Sequence, residues 1–228
     1  MQTLIKNGRV IDPANQLDGS FDILINNGKI EAIEPQGKIS GSKDVPVIDA
    51  KNCVVAPGFC DMHVHFREPG HEYKETIETG SASAAAGGFS TVAVMPNTSP
   101  VNDNRSITEL IFSQARKTNL INVFPIGAIT KGLKGESLSD MGELKEAGCI
   151  GYSDDGRPVM DSELMRRAFE YSRMFDLPCI QHSEILDLTH EGCMNEGIVS
   201  TELGLKGMPV EAEDIMVFRD ICLLRKTG

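Results

Sequence analysis

An α/β fold is predicted, with a small β-rich segment in front and strand–helix units behind it. Three observations predict it. Short β-branched runs fill roughly the first fifty residues. From Cys53 onward, continuous apolar strands alternate with helical stretches, the pattern of a parallel sheet covered on its faces. The step from one such strand to the next is roughly 30 residues, the length of a βα unit.

In the front segment, TLIKNGRVID and FDILINNGKIEAIE are interrupted by Asn7-Gly8 and Asn27-Gly28. Both dipeptides suit the two positive-φ positions of a type I′ hairpin turn. Another short strand, around Val45 to Ile48, follows a Gly/Ser/Lys loop. Together these give a small antiparallel sheet, too small to be a stable sandwich by itself and needing strands from elsewhere.

Behind it, the strand candidates are CVVAPGFCDMHVHF, STVAVMP, INVFPIGAI, CIGYS and PCIQHS. The expected helices run from Thr76 to Gly87, Ser106 to Lys117, Gly142 to Ala147 and Ser162 to Phe175. A last one covers Ala212 to Lys226, with Ile215, Phe218, Ile221 and Leu224 at helical spacing. The expected division is therefore residues 1–54 and 55–228. A closed (β/α)8 barrel takes about 250 residues, and about 175 follow the β segment, so five units are either part of a barrel or a complete doubly wound sheet. No GxGxxG follows the first strand, which removes the dinucleotide-binding version of the second.

Charge and composition exclude several functions. Twenty-two Lys and Arg against 33 Asp and Glu leave −11, which speaks against tracking nucleic-acid phosphates. No apolar run approaches the ~18 residues of a membrane span, and MQTLIKNGRV lacks the features of a signal peptide. The six Cys form no CxxC pair, as expected of reduced, packed thiols in a cytoplasmic protein.

His63 and His65, in DMHVHFREPG, are two apart at a strand end, so both imidazoles can face one ion. Neutral imidazole is a common zinc ligand, and a catalytic zinc keeps one position open. His182 ends PCIQHS at another strand terminus; alone it reads as a core histidine, but beside an HxH site it reads as a ligand. Asp154 and Asp155 in SDDGRP suit a turn equally with completing a His-rich site. Arg67 could grip a carboxylate or pair with Glu68 or Glu72, and Asn97 could bind a polar ligand or form an Asx-turn. His71 and His190 lie in polar sequence and are expected to be solvated. The small residues from Gly80 to Gly88 lack GK[ST] and suit close helix–strand packing better than phosphate binding.

HVHFREPG, AVMPNTSP, SDDG and QHSE, in this order and spacing, resemble the dihydroorotases of the bacterial type I class in the amidohydrolase superfamily. The resemblance covers essentially the whole chain and implies the first five units of a TIM-type (β/α)8 barrel behind part of a small β-sandwich. It implies reversible cyclisation of N-carbamoyl-L-aspartate to L-dihydroorotate with one or two Zn2+. His63, His65, Asp155 and His182 match metal ligands, and His65, Arg67 and Asn97 match substrate-contacting positions. Hydantoinases and allantoinases carry a carboxylated Lys where this chain has Asp155. The family's general base, an Asp after the last strand, and a further His ligand have no counterpart before Gly228, so these residues alone are expected to be inactive. A homo-oligomer, and association with aspartate carbamoyltransferase, are also implied. Two other readings stand beside this one: a non-catalytic scaffold for that enzyme, and a hydrolase of another cyclic amide.

Overall fold

The computed structural model describes residues 1–39 and 44–228, so the Gly/Ser/Lys loop around residues 40–43 lies outside the described residues. The chain divides into two units, Met1–Gly58 and Phe59–Gly228.

In the first unit, β1 (Gln2–Asp12), β2 (Leu17–Asn26) and β3 (Lys29–Pro35) form an antiparallel meander. The sheet is mixed rather than purely antiparallel, because β4 (Val47–Asp49) and β5 (Val54–Val55) both run parallel to β1. Asn27-Gly28 closes the β2–β3 hairpin with φ of 50° and 75°, as expected. Asn7-Gly8 does not turn the chain. It lies inside β1, where Asn7 has φ 65° and the register with β2 shifts between Ile5 and Gly8. This is a bulge: the strand stays paired on both sides, and a left-handed Asn absorbs the extra residue. A dipeptide that supplies positive φ serves a bulge as well as a turn. The β1–β2 connection is instead a 3-10 turn at Pro13–Asn15, held by Asp12, whose carboxylate accepts from the Ala14 and Asn15 N–H groups.

In the second unit, β6 (Phe59–Val64), β7 (Phe89–Val94) and β8 (Asn122–Pro125) are parallel neighbours in chain order. A parallel bridge between Gly127 and Tyr152 leads on to β9 (Tyr152–Ser153), which pairs with β10 (Cys179–Ile180). The run expected as one strand from Cys53 to Phe66 is two, β5 and β6, separated by Ala56-Pro57-Gly58. Proline has no N–H for a ladder there.

The helices are α1 (Ile77–Ala86), α2 (Arg105–Thr118), α3 (Met141–Ala147) and α4 (Ser162–Arg173), each within two residues of expectation. Thr76, Asn104, Asp140 and Asp161 cap their N-termini through side-chain oxygens. Four short elements then lead to the final helix: α5 (Leu186–Thr189), β11 (Met194–Asn195), α6 (Ile198–Leu203) and β12 (Gly207–Met208). They are too short to show a hydrophobic period, and the sequence did not reveal them. Last comes α7 (Glu211–Thr227).

Burial on both faces of β7 explains its unbroken apolar run. Val92 and Val94 pack with Phe66, Ile77, Ile111 and Val123, while Ala93 and Met95 pack with Ile126 on the other side. A second core gathers Met141, Leu144, Tyr152, Met165 and Phe169 between α3, β9 and α4. The thiols depart from expectation. All six cysteines are free, but only Cys149 is buried; Cys53, Cys60, Cys193 and Cys222 are exposed. No helix among the described residues is long and apolar enough to cross a membrane.

Candidate metal centre

Each candidate side chain sits at or just beyond the C-terminal end of a parallel strand. His63 is in the last turn of the pleat of β6 and His65 follows its end. Asn97 follows β7, Asp155 follows β9 and His182 follows β10. Adjacent parallel strands place these ends side by side, which joins residues 92 positions apart in sequence at one carboxylate.

That carboxylate is Asp155, with its side chain only 12% exposed. His63 Nε2 lies 3.1 Å from Oδ1, and His65 Nε2 lies 3.4 Å from Oδ2. The two imidazoles meet at 5.2 Å between ring centres, so both do face the same side of the chain. Asn97 ties the group together. Its Nδ2 donates to Asp155 Oδ2 at 3.1 Å, and its Oδ1 accepts from His65 Nδ1 at 2.9 Å. An amide oxygen can only accept, so His65 carries its proton on Nδ1 and presents the Nε2 lone pair to the cluster. Asn97 is thus a bridge between two neighbours rather than the centre of an Asx-turn.

One donor atom from each of His63, His65 and Asp155 lies within 4.8 Å of the others. Donors on one tetrahedral ion are roughly 3.3–3.5 Å apart, so small side-chain rotations would complete a shell of two imidazoles and a carboxylate. The donor set fits a divalent metal. His182 stands outside this trio: its Nδ1 is 3.9 Å from Asp155 Oδ1, and its Nε2 is 3.0 Å from Glu184 Oε2.

Asp154 has a different task from its neighbour. It is buried, and burial pushes its carboxyl above the ordinary range despite three donors. The N–H groups of Ile129 and Thr130 donate to its Oδ1 at 2.8 and 2.9 Å, and the Thr130 hydroxyl donates to Oδ2. It fixes the chain after β8 against the chain after β9, and so fixes the backbone that carries Asp155.

Arg67 forms no ion pair among the described residues. Its two expected surface partners are engaged elsewhere: Glu68 accepts from Ile77 N–H at 2.8 Å and Glu72 from Gly70 N–H at 2.7 Å. Arg67 is half-buried and left-handed, φ 62°, a costly conformation for a residue with a Cβ. Its loop is clamped to the one carrying Asn97. Ser99 N–H donates to Pro69 O at 2.9 Å, and at Gly70 (φ 95°) a Cβ would lie 1.9 Å from Ser99 O.

His190 is exposed as expected, but His71 is half-buried. It lines a cleft of about 310 Å³ with Asn97, Asp155 and Arg157. The sequence drew attention to neither Arg157 nor Glu184, although Glu184 lies two residues from a candidate ligand, a spacing that lets a carboxylate hold an imidazole.

A family model described as dihydro-orotase-like matches residues 52–228, most of the chain. The chain belongs to this family. Dihydro-orotase-like relatives named "Dihydroorotase" include proteins of Geobacter sp. (strain M21), 57% identical over 228 residues, and of Pelobacter propionicus, 54% identical over 228 residues. In both, the match covers 100% of this chain and 53% of the relative, so the chain spans about half the length of the curated relatives it matches. Among solved structures, the L-hydantoinase of Arthrobacter aurescens superposes with a TM-score of 0.78 over 99% of this chain and 51% of its own. At 20% identity that likeness concerns the fold alone.

Proposed function

We propose that these residues are the N-terminal part of a zinc-dependent dihydroorotase, which interconverts N-carbamoyl-L-aspartate and L-dihydroorotate. The observation that carries the reading is the meeting of His63, His65 and Asp155 at the ends of parallel strands, in a chain more than half identical to proteins of that name. Five parallel strands in chain order support a TIM-type barrel of which this chain holds the first five units, with the front sheet contributing to a β-sandwich. The likeness in fold to solved hydantoinases raises the rival reading of another cyclic-amide hydrolase. Against it stands Asp155, where those enzymes use a carboxylated Lys.

In this reading His63, His65 and Asp155 would hold Zn2+, and His182 with Asp155 would hold a second. Zinc held there would supply acidification of a water and polarisation of the ring carbonyl. The chain's own residues bind and orient the substrate. Arg67, whose guanidinium has no ion pair among the described residues, takes the substrate carboxylate in a bidentate fork. Asn97 is doubly engaged, so its first effect is to hold His65 and Asp155, with substrate contact made from the same loop. The cleft beside Asn97 and Asp155 gives the substrate a place to lie. The proton shuttle is assigned to an Asp supplied by the part of the protein beyond these residues. The assembly expected is a homo-oligomer, with aspartate carbamoyltransferase as a candidate partner.

The deciding experiment is turnover by the full-length protein of dihydroorotate and of hydantoin, with zinc content measured in parallel. Dihydroorotate ring opening with zinc bound is expected. Preference for hydantoin would move the assignment to the rival hydrolase, and a folded protein with neither zinc nor turnover would favour the scaffold.

A further inference from the structure

We infer that Glu184 is a positioning residue that fixes the ring of His182, presenting its Nδ1 atom to Asp155. The inference rests on the reading of His182 as a ligand of a second metal.

The geometry is a relay of three side chains. His182 Nε2 lies 3.0 Å from Glu184 Oε2, while the other oxygen, Oε1, accepts from the Thr189 hydroxyl at 2.5 Å. An ionised carboxylate only accepts, so Nε2 must carry a hydrogen, and in the neutral ring the lone pair is then on Nδ1. Nδ1 is the atom turned to the cluster, 3.9 Å from Asp155 Oδ1. Two donors on one ion stand about 3–4 Å apart, so the gap is of a size for an ion.

The far end of the relay is anchored. Thr189 is buried at the end of α5, and its N–H donates to Ile185 O at 3.2 Å. Ile185 N–H in turn donates to Ala212 O at 2.9 Å, near the start of α7. The side chains of His182 and Glu184 are themselves 34% and 29% exposed, so the ring is only partly enclosed. Without the carboxylate, the imidazole can turn about χ2 and offer either nitrogen to solvent. A carboxylate behind a metal-bound histidine typically contributes 10- to 100-fold in metal affinity. His63 shows no such partner among the described residues, and His65 has a neutral amide instead.

Two readouts test this on the full-length protein, neither of them catalytic. The first is nitrogen-15 NMR of the metal-free protein near pH 8, above the ordinary imidazole range. The bonded, slowly exchanging ring proton of His182 should be on Nε2, should persist in Glu184→Gln, whose amide oxygen still accepts, and should vanish in Glu184→Ala. The second is zinc titration. Affinity for the second equivalent should fall on the order of 10- to 100-fold in Glu184→Ala and less in Glu184→Gln, with the first equivalent unchanged. Thr189→Val, which keeps shape and removes the O–H donor, should move the second equivalent in the same direction, and it replaces Glu184→Ala should that variant fail to fold. A bonded proton on Nδ1, or second-zinc affinity within twofold of wild type in the variants, would overturn the inference. Should the wild type take up only one zinc, the second-metal reading fails, while the position of the ring proton still decides whether Glu184 fixes His182.

Discussion

Arg67 combines features seldom found together: a half-buried guanidinium without an ion pair among the described residues, on a left-handed backbone. A non-glycine residue in that region costs about 1 kcal/mol or more, which argues for a use other than stability. Arg67→Lys should therefore leave zinc content unchanged and lower kcat/KM by about 2 kcal/mol, the scale of a lost charge-assisted bond. Arg67→Gly should lose turnover yet raise the thermal midpoint, because glycine relieves the positive φ. Unaltered kinetics in either variant would make Arg67 a surface residue. Asp154 is the opposite case, a carboxylate used for structure. Asp154→Ala strands three buried donors and should cost about 2–4 kcal/mol by urea unfolding. Its pH dependence has a definite sign. The folded-state carboxyl is raised above 3.8, so its contribution is complete below that pH and lost as pH rises through the folded value. Stability of wild type relative to Asp154→Asn, which cannot ionise, should thus decline above about pH 4 and then level off. A difference that rises with pH would contradict the burial argument.

At the scale of elements, α1 is a low-polarity helix whose small residues let it lie close to the chain after β6. A Cβ on Gly80 would stand 2.5 Å from the Phe66 ring, between His65 and Arg67 in sequence. Close helix–strand packing is thus the use of Gly80 itself, whereas Ala82, Ser83 and residues 85–88 of the same run are exposed. Gly80→Ala should destabilise by about 1–3 kcal/mol, as overpacking does, and should also weaken zinc binding, because Phe66 can move only by carrying its neighbours with it. Metal affinity equal to wild type in a destabilised Gly80→Ala protein would mean that the HxH segment is held independently of α1. The exposed face of α4 presents a salt-dependent counterpart. Arg166 and Arg167 hold Glu163 down to about 2, so its contribution is present above 4.5 and is lost as pH falls toward that lower value. Glu163→Gln should lower the melting temperature at low ionic strength and have no effect in molar salt, where exposed pairs are screened.

Over the whole molecule, large apolar side chains stand exposed on several elements of Phe59–Gly228, and two of these elements, β6 and α7, bear on its behaviour alone. On β6, Phe59 and Met62 are 61% and 76% exposed, and β6 pairs only with β7 among the described residues. On α7 the buried positions are Ala212, Met216, Asp220 and Thr227, whereas Ile215, Phe218, Ile221 and Leu224 face outward. Residues 1–228 produced alone should therefore self-associate, bind hydrophobic dyes and lack turnover, as unpaired strand edges and open apolar faces predict. A monomer by light scattering with low dye binding would refute this.

The sequence alone determined what depends on local period and residue chemistry. The order of the longer strands and helices, the bounds of α1 to α4 to within two residues, the Asn27-Gly28 turn and the HxH pair were all legible, because each is set within a few residues. It could not tell a turn from a bulge at Asn7-Gly8, since that choice rests on whether β2 continues to pair beyond it. Residue type and spacing could not divide labour between Asp154 and Asp155, which are adjacent and identical; only the family resemblance pointed to Asp155. The tertiary structure supplies the physical reason, burying one against the Ile129–Thr130 backbone and turning the other to two imidazoles. The same holds for Asn97 and Glu184: each acts through a partner brought near by neighbouring strand ends or by the fold of a loop, and such proximity leaves no periodic mark in the chain.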